Sequence, residues 1–93
     1  MRLLVVEDEK IILNGIVKHI PWEALGIDEL RSARNAEEAL AVFEEFSPDI
    51  VLTDINMPGK DGIAMCHDMK EKNEDVQIIL ITGYSQMDYL KRA

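Results

Sequence analysis

The sequence predicts an α/β domain built on a parallel β-sheet with helices on both faces. Three short apolar runs, at residues 3–6, 50–53 and 76–81, show almost no alternation of polar and apolar side chains. That pattern is typical of strands that are covered on both faces. Between these runs, apolar residues recur at the spacing of amphipathic helices. Alternating strands and helices favour parallel strands joined by helical crossovers.

The first half of the chain contains two predicted strands, each followed by a helix. The helix after residues 3–6 ends before Pro21. The second strand, at residues 28–33, has the weakest signal because few of its residues are apolar. Asn35, with Glu38 three residues later, is typical of a capping box and predicts the start of the second helix. The apolar residues of the first helix are Ile12, Leu13, Ile16, Val17 and Ile20.

The second half repeats the alternation. The strand at residues 50–53 leads into a loop that extends to Gly62, and Ile63, Cys66 and Met69 mark a third helix. The strand at residues 76–81 is followed by a second capping signal, in which Ser85 precedes an acid by three residues. The predicted order is therefore βαβαβαβα, with the last helix still in progress at the end of the sequence.

Composition and charge narrow the range of functions. The net charge of −8 argues against direct contact with nucleic acid, because phosphate binding needs clustered Lys and Arg. No apolar run is long enough to span a bilayer or to form a secretory signal, so we expect a cytoplasmic protein without membrane contact. The single cysteine, Cys66, has no internal disulfide partner and is expected to pack in the core.

Acidic residues follow two of the predicted strands. Glu7 and Asp8 come directly after the first strand, Asp54 comes after the third, and Thr82 ends the fourth. If the first and third strands are neighbours, the three carboxylates share one crevice at the carboxyl edge of the sheet. They would repel one another unless a cation holds them, and an all-oxygen cluster suits Mg²⁺. A carboxylate beside Mg²⁺ can accept a phosphoryl group, whose oxygens a Thr82 hydroxyl can bind.

Purely structural roles for the same acids are also open at this stage. Asp54 alone could cap the loop that follows it, and Glu7 and Asp8 could be acids at the N-terminus of the first helix. These roles explain each acid singly but leave their shared position at strand ends to coincidence.

Three segments, "LLVVEDE", "PDIVLTDINMPGKDG" and "IILITGY", together resemble the receiver domain of two-component response regulators. The resemblance implies a flavodoxin-like αβα sandwich with strand order 2-1-3-4-5, of which this chain contains 2-1-3-4. It implies that Asp54 accepts a phosphoryl group from a sensor histidine kinase. It further implies that Glu7, Asp8, Asp54 and the backbone carbonyl of Asn56 hold Mg²⁺, and that Thr82 supplies the phosphoryl-binding hydroxyl.

Two further segments, "HIPWEALGI" and "TGYSQMDYLKRA", resemble receivers attached to arabinose-regulator-type helix-turn-helix output domains. DNA would then be bound by that output domain and not by these 93 residues.

The family pattern continues beyond residue 93 with a fifth strand, which carries a lysine, and a fifth helix. We therefore expect residues 1–93 to form a single receiver domain that is incomplete at its C-terminus. Without the lysine, we expect slow or undetectable phosphorylation. The uncovered fourth strand, which is apolar and free of proline, predicts self-association by strand pairing or by exchange of C-terminal elements.

Two other functional classes remain open. Phosphatases of the haloacid-dehalogenase type also use an Asp at a strand end together with Mg²⁺, but they need a second Asp two positions later, where this chain has Asn56. A fragment that serves only for protein interaction is the other alternative. The residues favour a phosphoacceptor switch that is not an enzyme in its own right.

Overall fold

The computed structural model describes residues 1–54 and 62–81. Within them a parallel sheet has the strand order β2-β1-β3-β4, which confirms the predicted order 2-1-3-4. The strands are β1 (Arg2–Val6), β2 (Glu29–Ala33), β3 (Ile50–Asp54) and β4 (Gln77–Ile81). The helices are α1 (Lys10–His19), α2 (Ala36–Phe46) and α3 (Gly62–Lys72). The predicted capping signal at Ser85 and the helix after it lie outside the described residues.

The central strand β1 has apolar side chains on both faces. Leu4 and Val6 pack against α2 and α3, whereas Leu3 and Val5 pack on the opposite side with Leu13 of α1. Successive side chains of a strand point to opposite faces, so a strand between two helical layers needs an uninterrupted apolar run. The run at residues 3–6 is therefore explained by the three-layer architecture.

Strand β2 lies at an edge of the sheet, and this position explains its weak sequence signal. Most of its residues are exposed, and only Ala33 is buried. It nevertheless pairs with β1 along its whole length, from Arg2 opposite Glu29 to Val6 opposite Ala33. The backbone hydrogen bonds of this pairing compensate for the small apolar area that β2 contributes.

Helix α2 begins where the sequence predicts. The Asn35 side chain accepts a hydrogen bond of 2.8 Å from the backbone N–H of Glu38, which caps the first turn. At the other end Ser47 adopts the left-handed conformation, with φ 50°, and its N–H donates to the Phe43 carbonyl. The Asn35 cap sets the boundary between β2 and α2, where one wall of the candidate site lies.

Trp22 and Cys66 both pack against the core. The Trp22 indole N–H donates a hydrogen bond of 3.0 Å to the carbonyl of Ile16, and its ring packs half-buried against the core on the α1 side. Cys66 is half-buried and packs against the core on the α2 and α3 side, as predicted. In the part of the chain that the structure describes, no helix is long and apolar enough to cross a membrane.

Candidate functional site

Glu7 and Asp8 directly follow β1 at the carboxyl edge of the sheet. The Glu7 backbone N–H donates a 3.0 Å hydrogen bond to the carbonyl of Ala33, which extends the pairing with β2 by one residue. Glu7 is therefore held like a strand residue, and it is only 3% exposed. Asp8 lies further out and is half-buried. The carboxyl edge of the sheet therefore has one buried carboxylate, that of Glu7, and one half-buried carboxylate, that of Asp8.

Asp54 is the last residue of β3, which pairs with the other side of β1. Thr53 is in register with Val6, so Asp54 comes level with Glu7. The carboxylates of Glu7, Asp8 and Asp54 each place an oxygen within 4.8 Å of the others. The structure therefore brings together all three of the predicted acids that lie in its described part.

The electrostatics of this cluster, which we call the acidic cluster, are unfavourable for its most buried member. Burial raises the pKa of the Glu7 carboxyl to about 7, and its hydrogen bond with Asp8 and the negative charges of Asp54 and Asp8 act in the same direction. The backbone N–H of Glu9 donates to Glu7 Oε2 at 3.1 Å and partly opposes this rise. A cation beside these carboxylates would stabilise the ionised form of Glu7 and so lower this pKa.

The donor set of the acidic cluster fits a hard divalent cation. All three ligand groups are carboxylates, and they lie close enough to share one ion. A cation would offset the repulsion among the three carboxylates, which contributes to the raised pKa of Glu7. The electrostatic repulsion and the chemistry of the ligands therefore both favour a bound cation. The oxygen-only composition suits Mg²⁺ better than zinc, which prefers nitrogen and sulfur ligands.

The sequence also allowed purely structural roles for these acids, at the start of α1 for Glu7 and Asp8 and in a loop cap for Asp54. Helix α1 starts at Lys10, after both Glu7 and Asp8, and its first turn contains no acid. These two residues therefore precede the helix and are not part of it, although the Glu7 carboxylate accepts a hydrogen bond from the backbone N–H of Glu9, the residue before its first turn. The loop-capping role of Asp54 concerns residues 55–61, which lie outside the described residues, as do the predicted site residues Asn56 and Thr82.

Arg34 is a neighbour of the acidic cluster that the sequence reasoning missed. Its guanidinium donates a hydrogen bond of 3.4 Å to the backbone carbonyl of Asp8. The two residues line an open cavity of about 480 Å³ together with Asn35 and Glu38. Arg34 is the first residue after β2. The acids were identified because charged side chains directly follow strands, and the same criterion applies to Arg34.

Comparison with known proteins identifies the family of this fold and site. The sequence matches the model of the response regulator receiver domain over residues 3–93. The chain belongs to this family. Its parallel sheet and helices are accordingly those of the flavodoxin-like receiver fold, as the resemblance implied.

Relatives of this receiver domain include longer regulatory proteins. It is 36% identical over 92 residues to the transcriptional regulatory protein YesN of Bacillus subtilis (strain 168). The match covers 99% of this chain and 25% of YesN, so the chain spans about a quarter of that relative.

Solved structures show the same fold. A two-component transcriptional regulator AraC from Clostridium phytofermentans ISDg superposes with a TM-score of 0.86 at 33% identity, over 98% of this chain and 73% of that one. This match confirms the predicted resemblance to receivers of the arabinose-regulator type.

A third similar protein, the response regulator TrrA, has been solved in two complexes. TrrA from Thermotoga maritima in complex with Mg²⁺-BeF has a TM-score of 0.75 at 36% identity, over 91% of this chain and 71% of TrrA. TrrA in complex with histidine kinase ThkA has a TM-score of 0.75 at 38% identity, over 89% of this chain and 69% of that one.

Proposed function

We propose that this receiver domain accepts a phosphoryl group on Asp54 from a sensor histidine kinase, in a reaction that depends on Mg²⁺. The convergence of the Glu7, Asp8 and Asp54 carboxylates within 4.8 Å carries the proposal. Family membership supports it, and so do the complexes of TrrA with Mg²⁺-BeF and with a histidine kinase. In this proposal Glu7, Asp8, Asp54 and the Asn56 carbonyl hold the ion, and Thr82 binds a phosphoryl oxygen.

The chemistry of the transfer follows from the position of Asp54 at the end of β3. A carboxylate oxygen of Asp54 forms a bond to phosphorus while the bond between phosphorus and the donor's histidine nitrogen breaks, and the histidine leaves. Bound Mg²⁺ would neutralise charge on the transferring group. Glu7 and Asp8 would keep the ion beside Asp54, whose side chain is half-buried.

The phosphorylated domain is proposed to switch a DNA-binding output domain in the cytoplasm. Relatives that are much longer than this chain bear the names of transcriptional regulators, and one of the similar structures is an AraC-type regulator. The net charge of −8 makes the receiver itself a poor ligand for DNA. The proposed role of this chain is therefore regulatory rather than that of a turnover enzyme.

Transfer from radiolabelled acetyl phosphate tests the proposal in the complete gene product. We expect a stable label that requires Mg²⁺ and is lost in Asp54→Asn. The matched control is Asp49→Asn, which changes an acid at the opposite end of the same strand and should leave labelling intact. Continuous release of free phosphate would instead support a haloacid-dehalogenase-type phosphatase, and the absence of both label and release would leave an interaction module.

We also propose that strand β4 mediates self-association. Within the described residues β4 pairs with β3 alone, and its side chains Ile79 and Leu80 are 53% and 44% exposed. A second copy that adds a strand or exchanges C-terminal elements would cover this edge. Light scattering of residues 1–93 over a concentration series should show a dimer, and a monomer at high micromolar concentration would refute the proposal.

A further inference from the structure

Arg34 carries a permanent positive charge at the edge of the sheet where the acidic cluster lies. Val6 is in register with Ala33 on one side and with Thr53 on the other. The residues that follow these three, Glu7, Arg34 and Asp54, therefore end three adjacent strands at the same level. Adjacent strands are about 4.8 Å apart, so the backbones of Arg34 and Asp54 are separated by about 10 Å.

An anionic phosphoryl donor meets unfavourable electrostatics at this edge. The whole chain has a net charge of −8, and the acidic cluster remains net negative even when its three carboxylates hold a divalent cation. A phosphate that approaches the cluster is therefore repelled unless a nearby cation compensates. Guanidinium groups suit this task because they are always charged and form paired hydrogen bonds with phosphate oxygens.

The surroundings of Arg34 leave its guanidinium available for a ligand. The side chain is exposed, and its one described hydrogen bond, to the Asp8 carbonyl, is long at 3.4 Å. This contact holds the guanidinium over a cavity of about 480 Å³ at the rim of the acidic cluster. Arg31, three residues earlier, differs in that its guanidinium lies over the Phe46 ring, 5.0 Å from the ring centre.

We propose that Arg34 binds the phosphoryl group of the incoming donor and guides it to Asp54. This inference rests on the proposed function and adds a donor-binding residue to it. The donor class is a small or protein-bound phosphoryl group with at least one negative charge. Asn35 caps α2 through its side chain and so holds the adjoining residue of the cavity wall in place.

Two variants of Arg34 separate charge recognition from a structural role. The readout is the initial rate of labelling by acetyl phosphate in the complete gene product at subsaturating donor. We expect Arg34→Gln to lower this rate about three- to ten-fold at low ionic strength, with a smaller loss in high salt. Arg34→Lys should recover most of the rate. Arg31→Gln, the matched control, should behave as wild type.

The Mg²⁺ dissociation constant, measured by titration calorimetry without donor, provides the independent readout. Removal of a positive charge beside the cluster should leave Mg²⁺ binding unchanged or slightly tighter, whereas labelling slows. An unchanged labelling rate in Arg34→Gln would overturn the inference while the proposed function stands. A parallel loss of Mg²⁺ affinity would also overturn it, because Arg34 would then act by positioning Asp8. A wild-type protein without any label would reject the proposed function itself.

Discussion

Replacement of Glu7 by Gln should stabilise the metal-free domain at alkaline pH. Glu7 is 3% exposed, and burial together with the neighbouring acids raises the pKa of its carboxyl to about 7 from an ordinary value of 4.5. A carboxyl with a raised pKa in the folded state binds more protons when folded than when unfolded. The free energy of unfolding therefore falls as pH rises from about 4.5 to about 7 and then levels off.

The size of the effect follows from the same two values. Their difference of about 2.5 pH units corresponds to about 3.5 kcal/mol at most, at about 1.4 kcal/mol for each pH unit. Gln has the shape of the protonated carboxyl and cannot ionise. We therefore expect Glu7→Gln to raise the free energy of unfolding by about 1–3 kcal/mol at pH 8, and by less than about 1 kcal/mol at pH 5.

Urea unfolding in EDTA, followed by Trp22 fluorescence, measures this difference. Glu45→Gln, which removes an exposed acid of α2, is the control for the change in net charge. Saturating Mg²⁺ should stabilise the wild type more than Glu7→Gln, because the ion binds the ionised carboxylate. A variant that is less stable than wild type at pH 8 without metal, or a difference that is the same at pH 5 and pH 8, would refute the reasoning.

Other variants test the packing that positions the site. Asn35→Ala should lower the free energy of unfolding by about 1 kcal/mol through loss of the α2 cap, whereas Asn35→Asp should retain it; equal losses in urea melts would contradict the capping role. Met69→Ala should lower it by about 2–4 kcal/mol, because Met69 is fully buried between α3 and the sheet. Ile11→Ala, at a side chain that is 87% exposed, should change it little, and a similar loss in both variants would show that the core is assigned wrongly.

Much of the fold was predictable because its layers impose strong local patterns. The doubly covered strand β1 requires an apolar run, and Asn35 marks the start of α2 by a contact that spans only three residues. Strand β2 was less visible, because an edge strand can satisfy its pairing with exposed, polar side chains. Local sequence contains little information about such a strand, since its stability comes from β1.

The part of the candidate site formed by residues at the ends of strands was predictable from the sequence. Glu7, Asp8 and Asp54 follow strands, so their convergence required only that β1 and β3 be neighbours. The unequal burial of Glu7 and Asp8 was not predictable, because it results from the hydrogen bond of Glu7 to Ala33 on a third strand. The position of Arg34 also depends on that pairing, which joins residues 26 apart in the chain.

The most direct test of the account is to locate the covalent phosphoryl group. Borohydride reduces an aspartyl phosphate but not a free carboxyl, so peptide mass mapping after reaction with acetyl phosphate and reduction shows which acid was modified. The account predicts a reduced residue at position 54 alone, formed in Mg²⁺ and not in EDTA. Modification at Glu7 or Asp8, or modification of Asp54 that is independent of metal, would contradict it.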